Sequence, residues 1–130
     1  AGYSGTPLPK KLGIKSGVRV LLLGAPAGFA ELLGELPEDA RFVRSAPTAD
    51  LALLFTRNHG QLATRLGPLV RSLGPAAKFW IAWPKKTSEL GLDLDENVVR
   101  DEGLRAGFVD YKVCAIDADW SGLLFSRRKG

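Results

Sequence analysis

The sequence predicts an α/β fold: one mostly parallel sheet, helices on both of its faces, and an antiparallel hairpin at the carboxyl end. Three observations predict it. Short apolar runs alternate with stretches of helical spacing, which is the signature of β-α-β units. The first run, Val18–Leu23, leads directly into a glycine-bearing turn, Gly24–Gly28. The last two runs stand too close together for a parallel crossover and must pair antiparallel.

Residues 1–17 read as an N-terminal arm, 18–126 as a single domain and 127–130 as a basic tail. In the arm, Pro7 and Pro9 oppose an early helix. Lys10–Leu12 suits a short turn, and Leu12 and Ile14 are apolar anchors. An arm lying across the ligand edge of the sheet would bring Tyr3 and Ser4 to a site. Val18–Leu23 is nearly uninterrupted in its apolar character, as expected of a central strand buried on both faces. Phe29, Leu32 and Leu33 give one apolar face to a short helix. Arg41–Arg44 reads as a brief second strand and Asp50–Thr56 as the third.

Asn58 is placed to cap the next helix, whose Leu62, Leu66, Leu69, Val70 and Leu73 recur at helical spacing. Pro68 predicts a kink or a break inside it. Lys78–Trp83 is the fourth strand and runs into Pro84-Lys85-Lys86. Asp95–Ala106 is the next helix, with an acidic start. Phe108–Ile116 and Leu123–Ser126 form the closing hairpin, joined through Asp117–Gly122.

Composition narrows the classes of function. The 130 residues hold 45% hydrophobic side chains, enough for a core without metal or disulfides. Cys114, the single cysteine, falls in an apolar run and reads as an inert buried thiol. His59 is the single histidine and reads as a cap or surface residue, so no metal site is expected. The net charge of +4 is spread over mixed signs and lacks the concentrated patch that nucleic-acid binding requires. No secretory signal is read at the start and no apolar run is long enough to span a bilayer, which predicts a cytoplasmic protein without membrane contact.

With these elements in place, the chain resembles a truncated class I methyltransferase-like Rossmann domain. The resemblance rests on the approach LGIKSGVRV at Leu12–Val20, the strand-turn Leu21–Gly24 and the closing hairpin. It implies a three-layer Rossmann-like sandwich whose last strand runs antiparallel. The chain is also similar to a family of short bacterial proteins of unknown function, common in actinobacteria. That likeness is carried by YSGTPL at Tyr3–Leu8, KLGIK at Lys11–Lys15, LLGAP at Leu22–Pro26, WPKK at Trp83–Lys86, KVCA at Lys112–Ala115 and WSG at Trp120–Gly122.

The resemblance implies that the Gly24–Gly28 turn would approach the amino-acid part of S-adenosylmethionine. Gly24 and Gly28 keep two permissive positions, whereas Pro26 removes an N–H donor and restricts φ. The acid such a site uses at the end of the second strand is missing; Arg44 and Ser45 stand there. Arginine offers only donors, so Arg44 suits phosphate or carboxylate rather than a ribose diol. Trp83, Lys85 and Lys86 follow a buried strand toward the same edge, where the lysines would share an anion and the indole would stack on a planar group. Asp117, Asp119 and Trp120 interrupt the hairpin, and a turn with one packed tryptophan accounts for them.

These residues weigh against catalysis and point to a Rossmann-like domain without a cofactor. It would bind an anionic small molecule or a protein partner through Gly24, Pro26, Gly28, Arg44, Trp83, Lys85 and Lys86. Two alternatives stand beside that reading. One is an S-adenosylmethionine-dependent methyltransferase. The other is an interaction module that packs on itself or on a larger protein through an exposed strand edge.

Overall fold

The sheet has six strands, in a computed structural model that describes residues 7–85 and 93–128. Tyr3, Ser4, Lys86 and Lys129 lie outside the described residues. In chain order the elements are α1 (Leu8–Lys11), β1 (Arg19–Leu23), α2 (Phe29–Leu33), β2 (Arg41–Val43), a 3-10 turn (Ala46–Thr48), β3 (Leu51–Phe55), α3 (His59–Ser72), β4 (Lys78–Pro84), α4 (Glu96–Arg105), β5 (Phe108–Ala115) and β6 (Trp120–Arg127). The strands lie in the order β2-β1-β3-β4-β6-β5. β2, β1, β3 and β4 are parallel, and β6 pairs antiparallel with both β4 and β5. This is the mostly parallel, three-layer sandwich with a terminal hairpin that the sequence predicts.

Alternation along the strands builds two cores. On one face Leu21, Leu54, Phe79, Ile81 and Phe125 meet α3 and α4 through Leu62, Leu66, Leu69 and Val99. On the other, Val20, Leu53, Phe55 and Trp80 meet Leu12 and Ile14 of the arm and Phe29 and Leu33 of α2. The strand buried at every position is β3, LALLF, not β1. In β1 the expectation of burial on both faces fails at Leu22 and Leu23, which are only half-buried. Leu22 points to the opposite face, with α2; for Leu23, which faces α3, the reason lies in the next connection. Residues 44–50 carry the chain from β2 across β1 to β3 with only the 3-10 turn, too little to cover β1 on the α3 face.

Four further corrections have local causes. The arm forms its turn of helix at Leu8–Lys11 rather than Lys10–Leu12, because prolines in a first turn lack only N–H groups that would have no partner. The arm is then fastened: Leu12 and Ile14 are buried, and the Trp80 indole N–H donates to the Leu12 carbonyl at 2.9 Å. Helix α3 runs unbroken through Pro68. What Pro68 costs is one bond, since it has no N–H for the Thr64 carbonyl one turn earlier. Leu32, counted on the apolar face of its helix, is half exposed because α2 is only five residues long. Lastly, β6 starts at Trp120 rather than Leu123. Asp117 Oδ1 accepts from the backbone N–H groups of Asp119 (2.8 Å) and Trp120 (2.9 Å), closing the hairpin early enough for Trp120 to pair with Pro84.

Asn58 caps α3 as predicted, and the acidic start of α4 supplies a cap as well. Asn58 Oδ1 accepts from Gln61 N at 2.8 Å, and Asp95 Oδ1 accepts from Val98 N at 2.9 Å. His59 lies at the surface, 3.0 Å from Glu102, and ties the start of α3 to α4. At the chain's end, Arg127 donates to the Leu73 carbonyl and its guanidinium lies over the Phe108 ring.

Candidate functional site

The carboxyl ends of the parallel strands converge on one edge, and the sheet order puts a switch point there. From β1 the chain moves outward to β2, then returns across to β3 on the other side of β1. Connections on opposite faces leave a crevice between the carboxyl ends of β1 and β3, where ligands bind in open α/β sheets. The Gly24–Gly28 turn fills the β1 side of this crevice. Gly24 has φ +69°, and a Cβ on it would stand 2.9 Å from both the Phe55 carbonyl oxygen and Arg65 Nη1. Only glycine allows that approach between the turn and the end of β3. Gly28 has φ +84° with nothing within 4 Å of a Cβ position, so its backbone opens to solvent. Pro26 is half-buried, and its carbonyl accepts from Phe29 N at 3.1 Å to start α2.

Arg44 leaves the end of β2 and is exposed. With Gly24 it borders a cavity of about 490 Å³ between β1 and α3. Leu21, Leu23 and Leu54 supply the floor, and Leu69 and Pro68 the helix wall. Arg65 stands on the same wall, its Nη1 donating to the Phe55 carbonyl at 3.5 Å. Thr64 and Ser72 are the hydroxyl-bearing lining residues, and no carboxylate lines the cavity among the described residues. At the end of β2, Ser45 Oγ and Thr48 Oγ1 stand 3.1 Å apart and are exposed.

Other residues singled out in the sequence lie elsewhere along the edge. Trp83 is 5% exposed, its ring within the α3/α4-face core. Lys85 is half-buried, and its backbone N–H donates to the Asp119 carbonyl at 2.8 Å. The structure thus brings Gly24 and Arg44 to one cavity and leaves Trp83 in the core. Two residues escape the sequence reading. Arg57 stands two residues beyond Phe55, the end of β3; its guanidinium lies 5.5 Å above the Trp120 ring, which in turn meets Phe55 edge-on at 5.2 Å. Its place after a buried strand is the signal that singled out Lys85. Arg65 comes from mid-helix and carries no such signal.

Among the described residues, no group of three or more His, Cys, Asp or Glu side chains is placed to hold a metal ion. None of the described helices is long and apolar enough to cross a membrane. Burial pushes the Cys114 thiol above its ordinary pKa, against the opposing pull of Lys11, Lys112 and Lys85, as expected of an unreactive core cysteine.

No family model matches the chain, and no curated protein sequence matches it. Solved structures do, across 81 chains. The pyocyanin biosynthetic protein PhzM superposes with a TM-score of 0.66 at 12% identity, over 93% of this chain and 53% of its own. The chain therefore spans about half of PhzM. A SAM-dependent methyltransferase from Aquifex aeolicus gives 0.58 at 17% identity, over 89% and 85% of the two chains. A TehB-like SAM-dependent methyltransferase from Corynebacterium glutamicum gives 0.56 at 12% identity, over 98% and 90%. At such identities the likeness is one of fold: the chain has the class I methyltransferase-like Rossmann architecture. These matches correct the expectation that weighed against an enzyme. Two of the proteins that share the architecture are described as SAM-dependent methyltransferases, so the fold itself does not weigh against an enzyme.

Proposed function

We propose that the chain is the cofactor-binding core of an S-adenosylmethionine-dependent methyltransferase, with the adenosyl ligand across the carboxyl ends of β1 and β3. One observation carries the reading. The Gly24–Gly28 turn lies at the switch point of a sheet whose fold is shared with solved SAM-dependent methyltransferases. The finer kinship, with short actinobacterial proteins, rests on the motifs quoted from the sequence.

The residues at this edge fit the group through their own chemistry. The open backbone of Gly28 admits a ligand close to the turn. In place of a carboxylate at the end of β2, the Ser45 and Thr48 hydroxyls retain lone pairs to accept from a ribose diol. When bound, S-adenosylmethionine supplies an electrophilic methyl group. The chain's part is to seat and orient: the turn fixes the ligand's position, and Pro26 restricts the turn. Arg57 and Lys85, at the ends of β3 and β4, present positive charge to an acid-bearing acceptor substrate.

Calorimetric titration of the full chain with S-adenosylmethionine and S-adenosylhomocysteine tests this. Saturable 1:1 binding is expected, with a dissociation constant in the range of about 1 μM to 1 mM typical of enzyme ligands. Gly28→Val, which places a branched side chain at positive φ in the open turn, is expected to abolish it. No binding of either ligand at the top of that range would overturn the reading.

A further inference from the structure

We infer that the groove between α3 and β1 is a second binding site, one that takes a small amphipathic anion. An aliphatic or aromatic body would lie on the leucine floor, and a carboxylate, sulfonate or phosphate would sit between Arg44 and Arg65. The groove follows from the topology. Because the β2–β3 connection crosses β1 with only a 3-10 turn, Leu23 is left part-exposed on that face, beside the buried Leu21. The resulting cavity of about 490 Å³ falls within the size range of small-molecule sites and has their character, an apolar floor with a few polar groups at the mouth.

Charge selects the occupant. The charged side chains lining the groove are the two arginines, and neither forms a salt bridge among the described residues. Two guanidinium groups beside an apolar floor favour an acid with a hydrophobic body, and their planar forks match carboxylate and phosphate geometry. No carboxylate lines the groove among the described residues to receive a cation such as a sulfonium, so the groove is assigned to an acid distinct from the adenosyl group proposed above. Gly24 forms one wall of the groove and also opens the turn at the crevice, so the two ligands would lie side by side.

The test is an amide-resolved NMR titration of the full chain with octanoate, octylammonium and acetate. Octanoate is expected to shift the amides of β1 and of Thr64–Leu69 saturably, at least about tenfold more tightly than octylammonium, while acetate does not saturate. Arg44→Gln, at an exposed position, is expected to weaken octanoate about tenfold with an unchanged melting temperature. Ser72→Phe, which fills the groove from an exposed helix position, is expected to abolish binding. Equal affinity for octanoate and octylammonium would reduce the groove to an apolar face and overturn the assignment. So would shifts confined to other surfaces. Concentration-dependent shifts of the same amides without ligand would give the groove to a second copy of the chain, with the same consequence. Octanoate carries no adenosyl group, so this result stands apart from the calorimetry with S-adenosylmethionine.

Discussion

Substituting Gly103 with alanine probes how tightly the α4 layer is seated on the sheet. A Cβ at Gly103 would stand 2.0 Å from the Phe125 ring, against an ordinary carbon–carbon contact of about 3.5–4.0 Å. The ring would have to retreat by roughly 1.5 Å. It has nowhere to go: Phe125 is fully buried, its ring lies 5.3 Å from that of Phe79 in a stacked pair, and Phe79 meets Phe108 at 4.7 Å. Overpacking of this kind costs about 3 kcal/mol at the upper end of its usual range. Alanine favours the helix over glycine by about 1 kcal/mol, leaving a net loss of about 2 kcal/mol. At the usual unfolding entropy per residue, a chain of this length should melt roughly 7 °C lower. Thermal unfolding followed by circular dichroism reads the shift. Gly103→Ala/Phe125→Leu should lose less than the two single losses added, because the leucine vacates the space that the methyl group takes. A Gly103→Ala protein as stable as the parent would refute the close seating of α4 on β6.

The acid side of the stability profile should depend on Asp50. Hydrogen bonds from the Arg19 guanidinium and the Arg19 backbone N–H hold its carboxyl below the usual range. A depressed carboxylate contributes stability that is present above its unfolded value, near pH 4, and lost as the pH falls through the folded one. Asp50→Asn should therefore flatten the loss of stability below about pH 4, as read from urea midpoints across pH; parallel profiles for the two proteins would contradict it. Cys114, 8% exposed with a raised thiol pKa, should react with a disulfide reagent at pH 8 at least about tenfold more slowly folded than in denaturant. Equal rates would place the thiol at the surface.

The parts of the fold legible in the sequence are those where one strand's own composition decides. LALLF and FWIAW are apolar throughout, as strands covered on both faces are, and any reading of periodicity finds them. Asn58 and Asp95 cap helices through bonds three residues long, equally local. The start of β6 was hidden because Trp120 joins the sheet through the side chain of Asp117, a backbone bond from Ile116 and the edge of β4. The exposure of Leu23 was hidden for a different reason. It follows from a helix that is absent between β2 and β3, and a missing element leaves no mark on the strand it fails to cover. At the candidate site, Gly24 and Arg44 were legible as strand-end residues, but Arg65 reaches them from mid-helix across the fold. Nothing around Arg65 in the sequence announces that meeting.

The strand order has a consequence in time. β6 pairs with β4 along six positions, from Phe79 with Phe125 to Pro84 with Trp120, and β5 pairs only with β6. During synthesis the hydrogen-bonding edge of β4 therefore stays bare after β4 itself is complete, until residue 127 has emerged. β5 cannot cover that edge in the meantime, so the hairpin must dock as a unit, and long-range pairing of this kind comes late in folding. For that interval the nascent chain presents a flat, apolar strand edge, the surface on which two unfinished copies would most readily join. Pulse-labelled hydrogen exchange during refolding should show the outer amides of β4 gaining protection in step with those of β6, and earlier protection of β4 alone would separate the two events.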